Sequence, residues 1–291
     1  MLSKYLLVLI VLFSQVSIAF IPNILQLPEL PMFGDFNPNQ LRRNFNKFIG
    51  IEPDYAREAR MVLQIEDAVL DGEVEYLTLK NKNQVFSIYI QSELDKSKGG
   101  VIILHNRGQH ANWGDLIKPL RVGLAEKGWD TLSVQMPVLD KQAKYYDYVS
   151  IFPYAHERIE AAINFYKQLG IDNIILIGHS CGAHMSMSYI DKFGDDKFSA
   201  YVGIGMGATD YKQKMVKPFP LDKMHIPVLD VFSENDFASV IRLAKFRKVL
   251  VEATGNTHSA QLVIENAGHY YQEQGAAKNL TNQVGIWLDT L

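Results

Sequence analysis

The run Ile174-Ile175-Leu176-Ile177-Gly178-His179-Ser180-Cys181-Gly182-Ala183-His184-Met185-Ser186-Met187 decides how the rest of the chain is read. Its four consecutive aliphatic residues are too short for a helix and match a strand buried on both faces. Beyond the turn, Ala183, Met187 and Ile190 recur at helical spacing. The stretch therefore predicts a strand, an abrupt turn and a helix, with Ser180 at the apex. Gly178 and Gly182, two residues to either side of it, let strand and helix approach without a Cβ clash. The plain alternative is a β–α connection that happens to contain a serine.

Outward from this turn, strands and helices alternate. Val74 to Lys80 and Val85 to Gln91 read as a hairpin around Asn81-Lys82-Asn83. Strands are expected at Val101–Leu104, Thr131–Val134, Tyr201–Ile204, Val228–Phe232 and Gln261–Ile264. Helices are expected at 54–70, Asp115–Lys127, Glu157–Leu169, Ala238–Val251 and from Ala276 to the end. Such alternation gives an α/β domain over 74–291, a mainly parallel sheet covered by helices on both faces. Residues 20–73 read as an irregular arm with Pro22, Pro28, Pro31 and Pro38, a short helix near 39–48, and the 54–70 helix.

The first nineteen residues join Lys4 to the apolar run Tyr5–Phe13 and end in Ser17-Ile18-Ala19. This is the pattern of a secretory signal peptide, with an apolar core too short to span a bilayer. The expectation is an exported protein, periplasmic in a Gram-negative cell, without stable membrane insertion after cleavage. The formal charge of −3 and the lack of a basic stripe argue against nucleic acid. One cysteine, Cys181, excludes an intramolecular disulfide and a cysteine-based zinc site.

A serine hydroxyl needs a base to take its proton and a third group to orient that base. Downstream of Ser180, Asp236 follows the strand from Val228, and His269 follows the last strand in Ala267-Gly268-His269. Strand ends on one sheet edge converge, so all three can meet. Glu234 and Asp210 remain alternative acids, whereas Asp230 would point from mid-strand into the core. Of eight histidines, His105 and His110 are read as shaping the site. His179 and His184 are fixed by the turn and helix, and His156, His225 and His258 are read as solvated or capping. Backbone donors for a developing oxyanion are expected from Cys181 and from Arg107, in the loop His105-Asn106-Arg107-Gly108-Gln109-His110.

Gly178-His179-Ser180-Cys181-Gly182 and the Ser, acid, His order resemble the nucleophile elbow and triad of the α/β-hydrolase superfamily, over roughly residues 74–291. Closer still is the resemblance to an exported proteobacterial subfamily of unassigned function. It is carried by Leu104-His105, Gly108 to Trp113, Pro119-Leu120-Arg121, Gly128 to Pro137, Pro227 to Asp230 and Gly285 to Leu288. In such hydrolases the loop after the first parallel strand usually reads His-Gly-x-Gly. Here Asn106 replaces the first glycine, a residue that tolerates left-handed backbone.

The resemblance implies a serine hydrolase acting on esters or related acyl compounds through an acyl-enzyme on Ser180. The small-molecule acyl substrate would be its partner, with no metal or organic cofactor. A non-catalytic binding or scaffold protein on the same fold is the alternative, as is an acyltransferase or peptidase using the same triad. Only about twenty residues, 206–225, separate two strands where related enzymes insert a lid, so a short cover or none is expected. A cluster of Tyr145, Tyr146, Tyr148, Phe152 and Tyr154 either packs the core or borders the pocket. Nothing in the residues specifies an oligomeric state.

Overall fold

The computed structural model describes residues 51–291. The expected signal peptide, the proline-bearing arm and the helix near 39–48 lie outside the described residues. Within them the alternation folds as expected. The hairpin β1 (Glu73–Thr78) and β2 (Gln84–Ile90) is antiparallel, and β2 runs antiparallel to β4 (Asp130–Val134). From there every pairing is parallel, through β3 (Gly100–Leu104), β5 (Ile174–His179), β6 (Ala200–Ile204), β7 (Val228–Asn235) and β8 (Ala260–Gly268). The order among the described residues is β1-β2-β4-β3-β5-β6-β7-β8, an α/β-hydrolase fold.

Strand periodicity of two sorts the core into two layers. Ile102, Leu104, Leu132, Val134 and Leu176 face α4 (Phe152–Gln168) and α5 (Cys181–Phe193). Val101, Ile103, Ile175 and Ile177 face α2 (Ile117–Ala125) and α7 (Ala276–Leu288). The central strands bury every side chain, which is why they read as unbroken aliphatic runs. Remaining helices are α1 (Tyr55–Ile65), the short α3 (Tyr145–Val149) and α6 (Ala238–Glu252). Asp54 caps α1 by accepting from the Arg57 N–H at 2.9 Å.

Several boundaries differ from the sequence reading, among them the end of α1, which stops at Ile65 and not at residue 70. Helix α4 begins five residues before the expected Glu157, because Pro153 falls in its first turn, where the missing N–H has no intrahelical partner to lose. Strands β7 and β8 run past Phe232 and Ile264, paired across a register shift at Ser233/Asn235. Their polar ends resemble a turn in sequence because β8 is the sheet edge, where Glu234, Glu265 and Asn266 face solvent. Helix α2 is shorter than expected at both ends.

The same layers enclose polar groups. His156 is buried rather than solvated, its Nε2 3.1 Å from Ser188 Oγ, because α4 packs directly on α5. Tyr145, Tyr148 and Phe152 join the core, Tyr148 accepting from the Leu139 N–H at 3.1 Å. Arg121 is fully buried and donates to Ala111 O, Ser133 Oγ and Asn112 Oδ1.

Burial disfavours the charged imidazole, so His105 and His179 are lowered to about 3, and His110, His156 and His184 to about 4. Free imidazoles take a proton near 6.5, so between that pH and about 4 the unfolded chain binds more protons and acid favours unfolding. The buried carboxyls of Glu58 and Asp230 are raised by desolvation and act oppositely, two groups against five. The melting temperature should therefore fall steadily from pH 7 to pH 5, above the range where ordinary carboxylates titrate. Calorimetry across that range checks this, and a flat profile would contradict it.

Candidate active site

The turn after β5 puts Ser180 in a strained backbone conformation, φ 53° and ψ −110°, which costs a non-glycine residue roughly 1–3 kcal/mol. Close packing sustains it. The Ser180 N–H donates to Ile204 O at 2.8 Å. A Cβ on Gly182 would lie 2.4 Å from Leu104 O and 2.8 Å from His105 O, so only glycine lets α5 start this close to the end of β3. A Cβ on Gly178 would meet the Ala183 backbone at 2.8 Å.

Ser180, His269 and Asp236 meet here, all buried. His269 Nε2 lies 2.9 Å from Ser180 Oγ and its Nδ1 2.6 Å from Asp236 Oδ1. Burial works against the Asp236 carboxylate, but the hydrogen bond from His269 outweighs it, helped by the N–H groups of Ser233 and Phe237. The carboxyl is held below its usual 3.8. An ionised carboxylate only accepts, so Nδ1 carries the proton and Nε2 presents a lone pair to the serine hydroxyl. The Phe237 ring stacks on the imidazole at 4.0 Å and 19°. His179 Nε2 donates to His269 O at 3.1 Å, and Gly205 leaves room that a Cβ, 2.9 Å from His269 Cε1, would fill.

The other acids are engaged elsewhere. Asp210 takes a two-pronged ion pair from Arg107 at 2.5 and 2.6 Å and accepts from the Tyr145 N–H at 2.7 Å. Burial opposes its charge, yet the Arg107 hydrogen bonds hold its carboxyl below the usual range. Glu234 is exposed and accepts from the Asn266 N–H at 2.9 Å. Asp230 is buried against Arg247 Nε at 2.9 Å, as its mid-strand position implied.

The N–H groups of Arg107 and Cys181 converge on one point. Both donate to Asn106 Oδ1, at 2.8 and 3.1 Å. Asn106 does not adopt the left-handed backbone its identity suggested; Gly108 does, at φ +69°. The loop is instead held by its main chain. The Asn106 carbonyl accepts from His105 Nδ1 at 2.7 Å and the Gln109 N–H at 3.2 Å, and its own N–H donates to Gln109 Oε1 at 3.3 Å. His105 Nε2 accepts from the Met136 N–H at 2.8 Å, fixing its tautomer. The Cys181 thiol is buried and pushed up to about 12, inert beside the serine.

Sequence reasoning missed the stacking of Phe237, the Arg107–Asp210 pair and the direction of the Asn106 side chain. Only the last had a signal, the departure from glycine. A cleft of about 280 Å³ opens beside α5, walled by Tyr145, Phe152, His184, Met187 and Phe219, and a second of about 410 Å³ lies between α6 and residues 207–221. Neither includes Ser180 in its wall. Among the described residues no helix is long and apolar enough to cross a membrane, and no cluster of three or more His, Cys, Asp or Glu could hold a metal ion.

Solved structures share this architecture. A serine hydrolase homologue from Coxiella burnetii matches with a TM-score of 0.57 at 19% identity, over 77% of this chain and 99% of its own. The protein Est1E from Butyrivibrio proteoclasticus matches with a TM-score of 0.56 at 15% identity, over 76% and 98%. A serine hydrolase without lid from Xanthomonas campestris matches with a TM-score of 0.53 at 12% identity, over 76% and 95%. No protein of curated function matches by sequence. A family model covers residues 39–149 and 153–290, and the chain thus belongs to the family described as "Protein of unknown function (DUF3530)".

Proposed function

We propose that the protein is an exported serine hydrolase that cleaves esters or related acyl compounds. The observation that carries this reading is one imidazole held between a serine hydroxyl at 2.9 Å and a buried carboxylate at 2.6 Å. Ser180 Oγ attacks the acyl carbon while His269 Nε2 takes its proton, and Asp236 stabilises the imidazolium. The tetrahedral oxyanion is received by the N–H groups of Cys181 and Arg107 and by the N-terminal end of α5. Collapse expels the alcohol, which leaves with the proton from His269, and water resolves the acyl-enzyme by the same route.

Named relatives in fold, an esterase from Exiguobacterium antarcticum among them, lend support at the level of architecture. A non-catalytic binding protein is favoured by one observation, the filled position between the two N–H donors. A fluorophosphonate separates the readings, since only an activated serine is labelled. Labelling should fall on Ser180. Ser180→Ala and His269→Ala should each lose roughly 10⁴-fold or more in kcat, and Asp236→Asn less but still heavily. Asp210→Asn and Glu234→Gln should keep far more activity, and the reverse pattern would reassign the acid.

Residues 206–225 carry only a 3-10 turn, Leu221–Lys223, rather than a helical lid. The cleft beside α5, which Ser180 does not line, combines Tyr145, Phe152, Met187 and Phe219 with Asp191, Lys192 and Lys217, and the Tyr145 hydroxyl accepts from the Val216 N–H. The short connection without a helical lid suits acyl chains of short to medium length met in solution. Cleavage of p-nitrophenyl acetate to octanoate should outpace palmitate, with no jump in rate at the solubility limit. A preference for emulsified long-chain triglyceride would count against it.

Export is part of the same proposal. Intact mass of protein from the native periplasm should place Phe20 at the N-terminus. A full-length species confined to the membrane fraction would refute it.

A further inference from the structure

The position between the Arg107 and Cys181 N–H groups is filled by the protein itself. Cys181 immediately follows Ser180, and Arg107 sits on the loop that Gly182 abuts. A point within hydrogen-bond reach of both is where a carbonyl oxygen under attack by Ser180 must sit. Asn106 Oδ1 is at that point, 2.8 Å from one donor and 3.1 Å from the other. The amide cannot be turned the other way, because both neighbours are N–H donors and only the oxygen accepts.

We infer that Asn106 is an intramolecular competitor of substrate, and that the oxyanion hole is free only when its side chain swings out. The inference rests on the serine-hydrolase reading and concerns the control of that same site. The main chain of the loop cannot supply the motion. His105 and Gln109 fix it, and the Arg107 side chain is tied to Asp210. The backbone donors therefore stay in place while the Asn106 side chain alone rotates about its χ angles. An amide oxygen and an ester carbonyl are acceptors of similar strength, so the resting site resists ground-state binding. The charged oxyanion is a far stronger acceptor than either, so once substrate is seated the amide no longer competes. The effect belongs in KM and not in kcat, because only the fraction of molecules with a vacated hole binds productively.

Two substitutions move the competitor in opposite directions. Asn106→Ala removes the oxygen and should raise the second-order rate of fluorophosphonate labelling, and kcat/KM for p-nitrophenyl acetate, about ten-fold. Its kcat should be nearly unchanged. Asn106→Asp keeps the shape but offers the donors a carboxylate, a stronger acceptor, and should slow both at pH 8. A fall in both variants together would mark the amide as a prop of the loop and not a competitor, and would overturn the inference. If Asn106→Ala instead loses kcat, or if both variants label Ser180 at the unaltered rate, the inference is overturned while the hydrolase reading stands. If neither the unaltered protein nor Asn106→Ala is labelled, both fall.

Discussion

The contact on which the site depends is the one at Gly182, where the start of α5 lies against the carbonyls of Leu104 and His105. No side chain fits there. The consequence reaches beyond the serine. By seating the helix on the end of β3, the contact brings the loop after β3 against the helix N-terminus, so N–H groups from distant parts of the chain face one point. It also leaves Ser180 a conformation that a serine adopts only when its surroundings over-determine it. Strain at the turn and convergence of the donors are thus two results of one packing constraint.

Around this contact the interior is polar, and its polar groups are mostly paired. Gln135 accepts from the Ala111 N–H and donates to Met136 O, while Arg158 donates to Gln135 O and pairs with Glu58 at 2.9 Å. Glu58 in turn accepts from the Val138 N–H. These bonds bind α1, the segment after β4 and the β3 loop into one framework behind the site. Ion pairs this deep contribute little net stability, but removing one partner leaves an unpaired charge at a cost of about 3–5 kcal/mol. Their effect is to fix where the backbone of the loop lies.

The architecture was legible because aliphatic runs, glycines and the Ser, acid, His order all report local chemistry. Ser180, Asp236 and His269 could be singled out because each sits just past a strand end, where one rule of sheet geometry brings them to one edge. What was not legible depends on side-chain direction across long sequence gaps. Asp210 looked like an alternative acid because it too follows a strand, and only the fold shows Arg107 holding it. His156 looked solvated because its helix was read as starting after it. Asn106 was noticed as a substitution for glycine and interpreted through its backbone, while the consequence lay in its amide.

Asp210 has one more implication. Its carboxylate accepts two hydrogen bonds from Arg107, after β3, and one from the Tyr145 N–H, at the start of α3, while itself belonging to the segment after β6. Tyr145 returns the link, its hydroxyl accepting from the Val216 N–H. Three segments that leave the sheet at different strands are therefore joined at a single residue. Segments tied in this way exchange their amide protons as one cooperative unit and not as independent flaps. The surroundings of the serine are then held at one hub, in which the walls after β3 and at the start of α3 each open only by parting from the Asp210 carboxylate.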